Sequence, residues 1–389
     1  MQAGDVRLAL GLFLFMFLIA GNVSGHFMKK VLLNLLTVLL SLIVAMVACQ
    51  IILVAMDWSP QRSTSDYLQF GYSTGVPVWD EDGILEEARP VKVKLFQPDD
   101  SLFWKPIPNT EFTNAQGFRG SQDIAVANGK QAIRILILGD SCSFLGRRLY
   151  ADFLHDKLSR DFPEIPFEII NASVPGYTSF QGRKILGRLL EYQPDYACIY
   201  FGWNDHWILP SGYSDQFHYD LIHSFKLVQL AKILWARVTD VRDYRVPLDD
   251  YQDNLTTMVQ QLRANGVIPI LIAAPAGYAD KGMPRWAFQF YREYYRMTAE
   301  EIKGIPETHK AYAEVTARVA KDHKAILVDM QGYLAQLNPS LKSFFRNDLI
   351  HLKERGHEAV ANQIYNQMQS YNSFNSLTWD SLRSRPGRL

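Results

Sequence analysis

The sequence predicts an α/β domain of three layers, α/β/α, built on a five-stranded parallel sheet and preceded by an N-terminal transmembrane segment. Three observations carry that prediction. Short apolar runs at 133–138, 166–171, 195–201, 267–273 and 325–330 have the length and composition of strands buried on both faces. Helical stretches at roughly 145–160, 179–192, 250–264, 307–323 and 353–371 alternate with them, the pattern of a parallel sheet covered on both sides. Finally, residues 31–56, "VLLNLLTVLLSLIVAMVACQIILVAM", contain no charged side chain.

The apolar run comes first in the chain. About 20 apolar residues cross a bilayer, so this one is long enough to span with tilt. Lys29 and Lys30 stand immediately before it. By the positive-inside rule that end stays cytoplasmic and everything after Asp57 emerges on the other side. An earlier run, Leu8 to Ala20, is shorter and is followed by "GNVSG". Two readings of it stay open: a second span paired with the first, or an extension ahead of a start at Met28. A cleaved signal peptide and lipidation at Cys49 are the alternatives to an anchor. The run exceeds an ordinary signal core, and "IILVAM" continues it past Cys49, which favours an uncleaved anchor.

Residues 1–57 are therefore expected to form the anchor, with 31–56 as its main span. A leader over 58–130 follows, rich in Pro, Asp and aromatics, and reads as short extended pieces packed on the main domain. The α/β domain is expected over 131–372, with an aromatic-rich insertion at about 205–249 and a polar tail over 373–389. Trp207, Tyr213, Phe217, Tyr219, Phe225 and Trp235 mark the insertion, and "RWAFQFYREYYRM" from Arg285 is a second aromatic run. Both read either as insertion core or as an apolar wall over a site.

Composition narrows the function. Lys plus Arg and Asp plus Glu are 40 each, and no basic stripe runs along the chain, so nucleic-acid binding has no electrostatic support. The three cysteines, Cys49, Cys142 and Cys198, make neither a disulfide framework nor a zinc spacing. His206, His218 and His223 have no ligand spacing either, so no metal and no cofactor are expected.

Doubly wound sheets of this kind, flavodoxin-like in their strand count, bind ligands beyond the carboxyl ends of the strands. Four segments bring reactive or small residues to that edge. The first strand ends in Gly139-Asp140-Ser141, and "NASVPGYTSFQG" with Gly176 follows the second. Gly202-Trp203-Asn204-Asp205 follows the third, and "FFRNDLIHLKERGHEAVANQI" with Asp348 and His351 follows the fifth. A hydroxyl becomes a nucleophile when a base removes its proton, and an imidazole suits that role. Asp348 lies three residues before His351, close enough in one turn to orient it. Gly176, with no Cβ, lets a carbonyl approach the backbone. His357, in "RGHEAVA", reads as a structural helix residue.

Over about 131–370 these marks resemble the SGNH (GDSL-type) hydrolases, a family of esterases, lipases and glycan deacylases. The anchor and "NAQGFRG" are similar to membrane-anchored bacterial members. The resemblance implies Ser141 as nucleophile, His351 as base and Asp348 as its orienting acid. It implies an oxyanion hole of the Ser141 and Gly176 backbone N–H groups and the Asn204 amide. Asp140 and Asp205 read as acceptors that hold the loops. The expected function is a membrane-anchored serine esterase acting outside the cytoplasm on O-acyl esters of cell-surface glycans or lipids. An O-acyltransferase using the same serine, or a non-catalytic domain on this fold, are the alternatives.

Overall fold

The computed structural model describes residues 26–58, 95–126, 132–209, 212–239, 242–278, 283–294, 297–337, 343–346 and 348–374. The run Leu8–Ala20, residues 59–94 of the leader and nearly all of the 373–389 tail lie outside the described residues. The chain divides into two compact units, residues 1–60 with 223–239, and residues 61–222 with 240–389.

The first unit is built on helix α1, His26–Ala55, which is apolar on nearly every side and, from Met28, long enough to cross a bilayer. The second unit starts with a hairpin, β1 Phe96–Asp99 and β2 Phe103–Pro106, paired antiparallel. The main sheet then opens with β3, Ile133–Gly139, buried at every position. The short helix α2, Ser141–Phe144, and α3, Tyr150–Asp161, lead to β4, Phe167–Asn171. Helix α4, Ser179–Leu189, leads to β5, Tyr196–Tyr200, likewise buried throughout.

The insertion after β5 carries α5, Asp215–Ile222, and α6, Lys226–Val238; α6 belongs to the first unit and α5 to the second. The sheet resumes through α7, Leu248–Ala264, β6, Ile268–Ala273, α8, Arg285–Tyr294, α9, Ala299–Asp322, and β7, Ile326–Asp329. Helices α10, Met330–Leu337, and α11, Glu354–Phe374, close the chain. All five strands fall within a residue or two of the apolar runs. Helix α9 starts earlier than its periodic pattern, which begins after Pro306. Thr298 caps it instead, accepting the Glu301 N–H while its own N–H donates to the Glu301 carboxylate, so Pro306 lies inside the helix.

The sheet is parallel, five-stranded and ordered β4-β3-β5-β6-β7. Strand order reverses between β3 and β5, which are in register from Ile135↔Tyr196 to Gly139↔Tyr200. At such a reversal the connections leave in opposite directions and open a crevice above the strand ends. Two separate cores, one on each face, hold the sheet between its helix layers. Even-numbered residues of β3, Leu136 and Leu138, face one core, and odd-numbered Ile133, Ile135 and Ile137 face the other. That is why the strand reads as an unbroken apolar run.

Candidate active site

The crevice at the β3/β5 reversal holds the first candidate. Gly139 is packed so closely that a Cβ there would lie 2.9 Å from the Tyr200 carbonyl oxygen, so β3 and β5 meet backbone to backbone. Asp140 then caps α2: its Oδ1 accepts the Cys142 N–H at 2.8 Å, and Ser141 begins the helix. The last carbonyls of this turn are taken by the leader, since Arg119 donates to the Phe144 and Gly146 oxygens at 3.2 Å each.

His351 comes to Ser141 from 210 residues away. The Ser141 hydroxyl donates to His351 Nε2 at 2.8 Å, and His351 Nδ1–H donates to Asp348 Oδ2 at 2.5 Å. Asp348 holds its own turn together, because Oδ1 accepts the N–H groups of Ile350 and His351 at 2.9 Å. Leu349 sits in the left-handed region at φ 60°, and its carbonyl accepts the Gly277 N–H at 2.9 Å. Tyr291 donates its hydroxyl to the Asp348 carbonyl at 2.7 Å. Burial of Asp348 works against its charge, but the His351 imidazole and these donors win and hold the carboxyl below its ordinary range.

Val174-Pro175-Gly176-Tyr177 forms a turn closed by Tyr177 N–H to the Val174 carbonyl at 3.1 Å, with Gly176 at φ 80°. Proline followed by a residue at positive φ is the type II pattern, which glycine fills without strain. The turn is held from two sides. Buried Trp104 of β2 donates its indole N–H to the Pro175 carbonyl at 3.2 Å, and Arg245 donates to the Gly176 carbonyl at 2.7 Å.

Asn204 donates its side-chain amide to Asp140 Oδ2 at 3.1 Å and to the Tyr177 carbonyl at 3.0 Å. It thus links the Asp140–Ser141 turn, the Gly176 turn and the β5 loop. Asp205 accepts from the N–H of Ser179 at 2.9 Å and of Gly202 at 3.0 Å, tying the same loop to the start of α4. Burial pushes the Asp140 carboxyl up to about 6 and the Asp205 carboxyl up to about 7, because hydrogen bonds only partly replace lost water. Burial also lifts the Cys142 thiol well above its usual range.

Sequence reasoning missed Arg245 and Asp215. Both side chains are fully buried, with Arg245 Nε and Nη2 each 3.0 Å from a different Asp215 oxygen. Thr178 Oγ1 lies 2.7 Å from Asp215 Oδ2, so the fork joins both ends of the insertion to the Gly176 turn. Nothing in "DVRDYRVP" sets Arg245 apart from its neighbours, and its partner stands 30 residues earlier. Of the aromatics in the insertion, Trp207 is buried and packs tilted against Tyr291 of α8, ring centres 6.0 Å apart, so the two aromatic runs meet as core at that point.

The family described as GDSL-like Lipase/Acylhydrolase matches residues 137–359, and no curated protein matches the sequence. Among solved structures, a lipase/acylhydrolase from Enterococcus faecalis is 22% identical with a TM-score of 0.40, over 61% of this chain and 96% of that one. An acetylxylan esterase from Geobacillus stearothermophilus is 18% identical with a TM-score of 0.40, over 61% of this chain and 96% of that one.

Two outcomes test this architecture. Arg245→Leu leaves the Asp215 carboxylate buried without its counter-charge and should cost about 3–5 kcal/mol of stability, most of it restored by adding Asp215→Leu. A denaturant double-mutant cycle reads the coupling, and a single variant as stable as wild type would deny the clamp.

The second concerns pH. Asp140 and Asp205 have folded pKa values above the unfolded one, so the folded state binds more protons. Their contribution is complete below about pH 4 and is lost as pH rises through about 6 and 7. Asp205→Asn should therefore lose less stability than wild type between about pH 5 and pH 8 in urea titrations. Parallel curves for the two proteins would refute the assignment.

Proposed function

The chain belongs to the GDSL-like lipase/acylhydrolase family and is an ester hydrolase, and from that premise we propose that Ser141, His351 and Asp348 form its catalytic triad. The observation that carries the reading is the continuous chain of contacts, 2.8 Å from Ser141 to His351 and 2.5 Å from His351 to Asp348. His351 Nε2 takes the Ser141 proton as Oγ bonds to the acyl carbon. Asp348 stays anionic, fixes the tautomer with Nδ1 protonated, and stabilises the imidazolium that forms. The imidazolium returns its proton to the departing alkoxide, leaving an acyl-enzyme. A water molecule, deprotonated by the same imidazole, then releases the acid and regenerates Ser141.

The negative oxygen of the tetrahedral intermediate meets the N–H groups of Ser141 and Gly176 and the Asn204 amide. Both Asn204 amide hydrogens are engaged in the resting site, by Asp140 Oδ2 and the Tyr177 carbonyl. One of them must turn toward the oxyanion as charge develops, exchanging a resting bond for a charge-assisted one. That exchange is realised only in the transition state, where it lowers the barrier. Asp140 and Asp205 act as acceptors that keep these donors in place and take no proton in the reaction.

Helix α1 supports a membrane anchor, and Lys29 and Lys30 near its start support a catalytic unit on the non-cytoplasmic side. Acylated glycans or lipids of the cell surface are the esters such a location offers.

Ser141→Ala should abolish both hydrolysis of a p-nitrophenyl acyl ester and labelling by a fluorophosphonate, with an unchanged circular dichroism spectrum. Wild-type turnover in that variant would sink the triad. Asn204→Ala should lower kcat by roughly a hundredfold with KM little changed, the usual cost of one oxyanion donor. A change confined to KM would move Asn204 from the oxyanion hole to substrate binding.

A further inference from the structure

The insertion helix α6 carries an apolar face that the catalytic reading leaves unused. Phe225, Val228, Leu234, Trp235 and Val238 are exposed at 49, 42, 51, 57 and 86%. Val228, Ala231, Trp235 and Val238 recur at helical spacing and form one stripe, with Leu234 beside it and Phe225 one turn ahead. The helix's buried positions, Gln229 and Ala236, fall outside that stripe. An ordinary surface helix turns its apolar residues inward; this one exposes them. Contiguous exposed apolar surface of this kind marks a binding face.

Two further observations identify what it binds. The segment His223–Thr239 has three cations, Lys226, Lys232 and Arg237, and no carboxylate. Its first turn also joins the span of its own unit: the Leu227 N–H donates to Gln50 Oε1 of α1 at 2.9 Å. Gln50 lies five residues before the end of α1 at Ala55, about 8 Å along the helix axis. If α1 crosses a bilayer, that depth is the boundary between headgroups and acyl chains, where interfacial helices bury their apolar face by about 5–10 Å. Tryptophan prefers the same zone.

We infer that α6 is an interfacial membrane helix that seats its Val228–Trp235–Val238 face in an anionic phospholipid leaflet beside the span. The inference rests on the reading of α1 as a membrane anchor. Apolar burial supplies the affinity, and the three cations favour anionic headgroups. Since α6 interrupts the sequence between β5 and α7, the catalytic unit would be connected to the leaflet by both ends of this helix as well as by the chain following α1.

The test uses the full chain with Cys49→Ser, in vesicles of equal parts phosphatidylcholine and phosphatidylglycerol. A nitrobenzoxadiazole probe is placed by Val228→Cys or Trp235→Cys, by Leu42→Cys within the span, and by Glu314→Cys on α9. Hydrolysis of a p-nitrophenyl ester checks that each variant is folded. The probes at 228 and 235 should shift to the blue and lose most of their emission to lipids spin-labelled near the headgroup. The probe at 42 should be quenched by deep spin labels, and the one at 314 should be quenched by neither. Quenching at 42 with 228 and 235 behaving like 314 would overturn the inference and leave the anchor standing. Blue-shifted emission at 228 and 235 without lipid quenching would overturn it in favour of a protein partner or a second copy. Absence of quenching at 42 would overturn the span and the docking that depends on it.

Discussion

Asp140 sits where the nucleophile turn, the β5 loop and the Gly176 turn come together, and its carboxylate has two tasks. One oxygen takes the Cys142 N–H and starts α2, which sets the position of Ser141. The other takes the Asn204 amide, whose second hydrogen goes to the Tyr177 carbonyl. Backbone contact at Gly139 brings β3 and β5 together, and this one carboxylate fixes the loops that leave them. The sheet reversal creates the crevice; Asp140 determines which groups line it. A hydrogen-bonded network of this kind is worthwhile only when nearly complete, because each unsatisfied buried group costs more than a satisfied one contributes.

The leader and the insertion belong to the same construction. Trp104 and Arg245 take the adjacent carbonyls of Pro175 and Gly176 from 71 residues before and 69 residues after them, while Arg119 takes the carbonyls that close α2. Turns such as those at Gly176 and Ser141 are held from outside themselves. Rigid side chains anchored elsewhere must supply the order, and indole and guanidinium groups do so with fixed planar geometry. The candidate groups stand just beyond the strand ends, and segments outside the sheet fix their positions.

Much of this was legible from the residues alone. The strands announced themselves because each is buried on both faces and so reads as an unbroken apolar run. Ser141, Asn204 and the Asp348–His351 pair were legible because parallel topology sends every strand end to one edge. The Arg245–Asp215 fork was not, since a buried ion pair between distant positions leaves no local periodicity. The pairing of α6, within the insertion, with α1 was not legible either. The two helices come together from distant positions, as in the Leu227–Gln50 hydrogen bond, and such pairing leaves no local pattern in the chain. Helix α9 began eight residues before its expected start because the capping pair Thr298 and Glu301 outweighed Pro306 as a boundary signal.

Three aspartates in one site show how environment separates role from residue type. All three are buried, and burial raises the pKa of each. For Asp348 the imidazole of His351 and two backbone N–H groups more than reverse that penalty, so it remains charged. Asp140 and Asp205 receive hydrogen bonds too, but these and the nearby His351 and Arg245 do not reverse the effect of burial; their carboxyls end at about 6 and about 7. The role proposed for Asp348, stabilising a transient imidazolium, calls for a negative charge, and Asp348 is the one of the three held below the ordinary carboxylate range. Asp140 and Asp205 need only lone pairs directed at N–H donors, a task that a carboxyl near its titration point still performs. The direction of each shift therefore separates the proposed partner of His351 from the two carboxyls that hold the loops.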